Sequence, residues 1–430
     1  MKFTKFGKAL LISALSAGVI LGVTSCVQSY TVGFLYVTGT VTAQSTSNGI
    51  ISGFKIDHNT GKLTKVNGLP ISSGGANPIR AALITGSRFL YVLNQGDCTV
   101  SPCANPNITE FAVGGNGILS PQATFYTQGL NPFRMIADSS GNYLLVLDHD
   151  SPSNAACAAA LGASATTCGD ITVFQVNQTT GRLTLVVNAQ VSAAGTPLTY
   201  FPVPANPIDF LFSPGYILTL SGTPATGDSV FPYTYTASSG QMTLSQNSAQ
   251  PLGINKATAI VSASSIVYVL DNEAPSPNPT AAASQILPFT VGSGGALQAE
   301  TGGIVPDDPT LANPIYLMVE SKGKFLYVAN QGNNALGSNA QSGITGYFIT
   351  NSPSYQLTFT TPSTFGSGAG PQCIVEDPSD QFIYTANRND STVTGRVVDP
   401  NSGVLNGLRV SSSYPVDGPP TWCLVNGRTD

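Results

Sequence analysis

The sequence has 430 residues, of which 42% are hydrophobic and only 9% charged, with a formal net charge of −5. Such a chain can bury a large core, and its acid excess leaves no basic patch for nucleic acid. Charged residues ordinarily make up ~25% of a chain, so Ser, Thr, Asn, Gln and Gly must supply most of the polar surface here.

The first segment reads as an address rather than as fold. Lys2, Lys5 and Lys8 precede the apolar run "ALLISALSAGVILGV", which ends in "VTSC". A basic start, a short apolar core and a small-residue cut site make an export signal over residues 1–25, too short for a comfortable membrane span. Val23-Thr24-Ser25-Cys26 also resembles a bacterial lipobox, in which Cys26 becomes the lipidated first residue of the mature chain. An ordinary signal peptide with a cysteine at the cut is the alternative. Val27, in place of Asp, points to outer-membrane sorting. Residues 26–30 would then be a short tether, and residues 31–430 the folded body.

After residue 25 the chain carries 14 basic and 22 acidic residues, a net charge of −8. No later apolar run is long enough to span a bilayer, so the only membrane contact expected is the lipid anchor. Six cysteines follow Cys26, and export would put them where disulfides persist. Cys98 and Cys103 share one loop, Cys157 and Cys168 share another, and Cys373 and Cys423 remain as a distant pair. Six cysteines allow 15 pairings; nearest-neighbour pairing is the reading adopted. Metal binding is the weaker rival, because the loops lack His and the spacing of zinc sites.

From residue 34 onward one phrase recurs seven times. It starts as "FLYVTGT" at Phe34, "FLYVLNQ" at Phe89, "YLLVLDH" at Tyr143 and "YILTLSG" at Tyr216. It continues as "IVYVLDN" at Ile266, "FLYVANQ" at Phe325 and "FIYTANR" at Phe382. Each copy is short, aromatic and β-branched and ends in a polar turn residue, which is a buried strand and a loop. A second phrase of the type "ITVFQVNQTTGRL" (Ile171) follows each, and reads as strand, turn and strand. Gly occupies that turn in six of seven copies, where positive φ is cheap. A third phrase, of the type "ANPIRAAL", introduces most copies. One introducing phrase, "GPPTWCLVN", closes the chain with no partner after it, whereas the first copy has none before it.

A four-strand unit recurring about every 55 residues is the signature of a β-propeller. The fold class is all-β, a seven-bladed β-propeller with four-stranded blades. The C-terminal strand should join the N-terminal three, which removes the open edge of the ring. A row of β-sandwich domains is the rival, and needs Greek-key units of ~100 residues.

The order "P-x-x-…-FLYVANQ-…-ITGF-x-I-…-TG-x-L" resembles the seven-bladed propeller lactonases, the 6-phosphogluconolactonase-like family. The resemblance covers the whole mature chain and is specific for fold rather than for chemistry. It implies a His near the introducing phrase, within "P-R-H", with Glu and Arg nearby to polarise and hydrolyse a ring ester. This chain reads "PIR", "PFR", "PID", "PIY" and "PQC" there, without His.

Two residues past the Pro or its equivalent, the innermost strands present Arg80, Arg134, Asp209, Thr258, Tyr316, Cys373 and Thr421. Arg80, Arg134, Asp209 and Tyr316 are the candidate ligand-binding set, since paired guanidinium groups suit a carboxylate or phosphate. The bland alternative is that the arginines pair with Asp209 or with main-chain carbonyls and only hold blades together. Of two histidines, His58 falls in an outer turn on the wrong face. His149 follows the third strand phrase on the loop-rich face, where Asp148 or Asp150 would hold its imidazole as a general base. Glu273 and Asp271 could add a carboxylate on that rim. Asp97, Asp148, Asp150 and Asp170 do not form an Asp-rich calcium loop; no metal and no cofactor is expected.

Long loops concentrate on one face, at residues 148–170 and 271–285, which suggests a binding face. Three functional readings follow. The first is an exported, lipid-anchored monomer that binds a small anionic or sugar-derived ligand, or an envelope protein, through that face. The second is a lactone hydrolase that uses Arg80, Arg134 and His149. The third is a structural protein of the cell envelope.

The pairing of Cys373 with Cys423 follows from aligning "AGPQCIVED" with "DGPPTWCLV" on their Gly-Pro pairs. Both cysteines then lie an even number of residues past a Pro and leave their strands on the same relative side.

Overall fold

The computed structural model describes residues 29–41, 47–84, 88–222, 227–245, 249–263, 265–272, 284–300, 302–332, 341–350 and 355–427. Residues 1–25, read above as an export signal, lie outside the described residues, as do Cys26 and Glu273. Seven antiparallel sheets follow one another around an axis. Their inner strands are Pro420–Gly427, Pro78–Leu83, Leu130–Ala137, Pro207–Ser213, Ala257–Ala263, Pro314–Val319 and Pro371–Glu376, here blades 1 to 7. The recurring aromatic phrase forms the second strand of every blade, for example Phe89–Asn94 and Phe325–Asn330. The ring closes as the orphan phrases require: Thr31–Gly39 pairs with Pro420–Gly427, with Tyr36 opposite Leu424.

The repetition of that phrase has a physical cause. Its third residue is Tyr in five blades, and each Tyr hydroxyl donates to one main-chain carbonyl in the outer turn of the next blade. Tyr36 reaches Gly117 O at 2.9 Å, Tyr327 reaches Gly403 O at 2.8 Å, and Tyr384 reaches Gly61 O at 2.8 Å. Tyr91 bonds Gly181 O, and Tyr268 bonds Tyr355 O at 3.0 Å. The Tyr384 bond joins blade 7 to blade 1 and so spans the closure.

The first residue of the phrase lies over the same turn. A Cβ on Gly403 would sit 2.4 Å from the Phe325 ring, and one on Gly61 2.5 Å from Phe382. Both glycines also hold positive φ, +69° and +66°. Glycine is therefore required twice, by backbone and by space. The single turn without glycine, at Tyr355, faces the single blade whose phrase begins with a smaller residue, Ile266.

The structure joins Cys98 to Cys103, Cys157 to Cys168, and Cys373 to Cys423, the last with Cα atoms 6.0 Å apart. The parity argument for the third pair needs correction. Pro420, not Pro419, sits opposite the end of its partner strand, so Cys423 lies three residues past its Pro and Cys373 two. Opposite parity is what lets them meet, because neighbouring blades show each other opposite faces of their strands. The bridge closes a separation of 50 residues, worth about 4 kcal/mol in the chain-entropy account.

Residues 148–170, read above as a loop insertion, contain an α-helix, Asn154–Leu161. Ser153 caps it by accepting from Ala156 N, and the Cys157–Cys168 bridge ties it to the start of the next strand. No helix among the described residues is long and apolar enough to cross a membrane.

The clasp predicts a graded response to added methyl groups. Gly253→Ala, at φ +73° with open space around it, should cost only the backbone strain, roughly 1–2 kcal/mol. Gly403→Ala should cost about 1–3 kcal/mol more, because Phe325 must move as well. Urea unfolding of the two variants against the parent measures the difference; equal losses would show that the ring does not bear on the turn.

Candidate functional site on the propeller axis

The inner strands all carry the same irregularity. The residue after the Pro, or after Ala257 in blade 5, is bulged out, so that Pro78 pairs with Asn94 and Arg80 with Leu93, and the same shift recurs in the other blades. A bulge re-aims the side chain that follows it. At that position stand Arg80, Arg134, Asp209, Ala259, Tyr316, Cys373 and Trp422, in blades 2 to 7 and then 1.

Two members of the expected ring are displaced by one residue. Thr258 is itself the bulged residue, and its hydroxyl donates to Pro314 O at 3.2 Å. Thr421 is likewise one short; its hydroxyl bonds Thr38 O at 3.2 Å, and Trp422 takes the ring position. The cause is that blade 5 has no Pro and blade 1 has two. Cys373 is turned into the gap between blades and spent on its disulfide.

Arg80, Arg134, Asp209, Tyr316 and Trp422 together surround one axial cavity of about 330 Å³. Arg134 Nε donates to Asp209 Oδ1 at 3.2 Å, with both side chains largely buried. The other Asp209 oxygen accepts from Ile260 N, which links blade 4 to blade 5. Arg80 has no carboxylate of its own. Its Nη1 donates to Ile79 O at 2.7 Å, and its guanidinium carbon lies 4.1 Å from the Trp422 ring centroid. Tyr316 meets Trp422 edge-on at 5.1 Å.

Two guanidinium groups thus share one carboxylate and leave a net positive charge in a desolvated place. Burial, and then the charge of Arg134, push the Arg80 guanidinium well below its ordinary value, with Asp209 and Tyr316 opposing. Burial pushes Tyr316 up to about 12, so it is a neutral hydrogen-bond donor. An anion arriving between the arginines would relieve this strain.

A second cavity of about 290 Å³ lies on the other side of the same belt, toward the Pro end. Gln372, Thr258 and Thr421 line it, with Arg80 and Arg134 as its floor. A surface groove of about 740 Å³ near Arg88 and Gln178 lies at the outer turns of blades 2 and 3, away from these charges.

The other expected residues are distributed differently. His149 stands on the loop-rich rim, half exposed, with Nδ1 3.3 Å from Asp150 Oδ1. Asn131 Nδ2 donates to the other Asp150 oxygen at 2.9 Å. The ring of His149 tilts against Phe133 at 6.0 Å, and Phe133 in turn lies 5.2 Å from the Arg134 guanidinium. His149 does not line either axial cavity.

Asp148 does not hold His149. Its carboxyl is fully buried, accepts from Thr172 Oγ1 at 3.2 Å and faces Asp170. Asp271 is also buried, and takes a hydrogen bond from Gln285 at 2.8 Å rather than standing on the rim. Among the described residues no three His, Cys, Asp or Glu side chains gather to hold a metal. Asp97 closes its own turn through Thr99.

The geometry can now be set against known proteins. A family profile described as "Lactonase, 7-bladed beta-propeller" matches residues 47–199 and 299–423, well over half of the chain. The chain belongs to this propeller lactonase family. The periplasmic gluconolactonase of Pseudomonas aeruginosa superposes with a TM-score of 0.68 at 18% identity, covering 92% of this chain and 99% of that one. A Bacteroides uniformis protein assigned as a 6-phosphogluconolactonase gives 0.66 at 13% identity, over 92% and 100%. A Lactobacillus plantarum protein gives 0.61 at 16%, over 92% and 100%. At these identities the likeness is one of fold. A search of curated protein sequences finds no significant match.

Asp148 and Asp170 generate a pH prediction. Desolvation raises both, Asp148 to about 7 and Asp170 well above the carboxylate range, so the pair keeps a shared proton at neutral pH. Unfolded carboxyls release theirs near pH ~4. The folded pair therefore binds more protons across the interval, and stability falls as pH rises from about 4 to about 7. Asp150 and Tyr200 are the other titratable groups beside the pair. Asp170→Asn should mimic Asn107, which sits at the matching place opposite Asn94 in blade 2. Its advantage over the parent should grow to a few kcal/mol by neutral pH and vanish near pH ~4. Urea midpoints across pH test this; a constant difference would mean that the pair is not protonated.

Proposed function

We propose that the protein binds a small anionic or sugar-derived ligand at the axial belt, admitted through the loop-rich face. The observation that carries this reading is the belt's charge balance: two guanidinium groups stand beside one carboxylate, Asp209, which pairs with Arg134, while Arg80 bonds only a main-chain carbonyl. Trp422 and Tyr316 add ring surfaces suited to a sugar face, and Gln372 adds a donor at the mouth. A carboxylate or phosphate would bridge the two guanidinium groups.

The second reading is hydrolysis of a lactone. Family membership favours it, and so does the His149–Asp150–Asn131 chain, which leaves Nε2 of the imidazole for a water. Water would add to the ring carbonyl, the ring C–O bond would break, and the released alcohol would take up a proton. The family's "P-R-H" phrase is missing, and His149 stands outside the cavity wall. These two facts rank hydrolysis below binding.

Gluconate binding and glucono-δ-lactone hydrolysis separate the readings. Calorimetry should show gluconate binding that weakens at least tenfold in Arg134→Gln, on the scale of one charge-assisted bond. Unchanged affinity in that variant would remove the belt from the binding site. Turnover above the spontaneous rate, lost in His149→Ala, would make the protein a hydrolase.

The same proposal places the protein outside the cytoplasm, held by a lipid on Cys26. The basic-apolar start, the three disulfides and the fold shared with a periplasmic gluconolactonase support export. Cys26→Ser should move the protein from the membrane fraction to the soluble one with its melting temperature unchanged. Retention in the membrane would sink the anchor.

A further inference from the structure

We infer that the axial site takes an anionic amphiphile, a carboxylate carrying a hydrocarbon or aryl tail, with its head at the belt and its tail in the chamber beneath. This rests on the anion reading above and adds the class of ligand. The belt divides the axis into two spaces. Toward the loop-rich mouth the wall mixes Gln372, Thr258 and Thr421 with Ile208, Ala257 and Ile315. On the far side it is built from the middle of the inner strands of blades 3 to 6.

That lower wall is apolar. Ile136, Phe212 and Val261 line it and remain half-buried, not sealed between blades. Ser262 is the one polar side chain below the belt among its lining residues. Arg80, Arg134 and Asp209 form its roof, so charge and hydrocarbon surface meet at one boundary. Ile136 and Phe212 also pack against the core between blades 3 and 4, and Val261 against that between blades 5 and 6, so each presents its remaining surface to the chamber. An apolar pocket with a few convergent polar groups is the usual form of a small-molecule site. At ~30 Å³ for each water-sized group, 330 Å³ accommodates on the order of ten heavy atoms.

The experiment is a calorimetric series of acetate, butyrate, hexanoate and octanoate with the full chain. Each methylene buried in the chamber should tighten binding by about fourfold, so octanoate should bind orders of magnitude more tightly than acetate. Val261→Asp, which puts a carboxylate in the wall, should flatten the series, and Arg134→Gln should weaken every member. If carboxylates bind with no dependence on length, the amphiphile inference is overturned and the anion site stands. If no carboxylate binds, both are overturned. If the length dependence persists unchanged in Val261→Asp, the tail lies elsewhere and the inference also fails.

Discussion

The contact between an aromatic second strand and the glycine turn of the next blade is the constraint on which the rest depends. A propeller blade is a twisted sheet with apolar faces, and nothing in one blade fixes its angle to the next. Here the Tyr hydroxyl reaches across the gap to one carbonyl, while the Phe two residues earlier lies on the same turn. The hydroxyl bond is directional and the ring contact is close. Together they set both the height and the rotation of neighbouring blades. Because Tyr384 makes the same contact to Gly61, the closure is chemically the same as the internal joints. Blades 3 and 4 lack that Tyr, with Leu145 and Leu218 in its place. There the first ring takes over: Tyr143 covers Gly240, and Tyr216 accepts from Gly294 N at 2.8 Å.

Fixed blade angles are what turn seven local bulges into a belt. Five of the seven turn a large side chain toward the axis, namely Arg80, Arg134, Asp209, Tyr316 and Trp422, and the ring brings these side chains to one level. The belt then has a composition that packing alone does not explain. Paired charges between blades would be neutral in sum, as Arg134 and Asp209 are. Arg80 breaks that balance and lies against Trp422 instead of an acid. Cation–π contact is worth on the order of 0.5–2 kcal/mol, less than burying a guanidinium costs. The deficit is tolerable if a ligand supplies the missing charge.

The fold was legible because it is written seven times; any one copy would read only as a short buried strand. The belt was half legible. Counting from Pro located Arg80, Arg134, Asp209 and Tyr316 but slipped by one in blade 5, which lacks the Pro, and in blade 1, which doubles it. Trp422 was missed for that reason. A better ruler was present: the residue three past the Pro position is buried in every blade, as Ala81, Met135, Phe210, Ile260, Leu317, Ile374 and Cys423. Anchoring on that position gives the right register throughout. Which of two acids holds His149 was not legible at all. Asp148 and Asp150 sit on either side of it in sequence, and only the pleat of the strand decides that one turns inward and the other outward.

Where the belt is thin matters as much as where it is thick. Blades 1, 2, 3, 4 and 6 project large side chains at its level, whereas blade 5 offers Ala259 and blade 7 has given Cys373 to a disulfide. The two small positions are therefore where the axis has room. Toward the mouth, Thr258 and Gln372 stand just above those gaps, and both are polar. Toward the other side, Val261 stands below the gap of blade 5 and is apolar. A ligand held at the arginines would thus meet polar side chains above and hydrocarbon below.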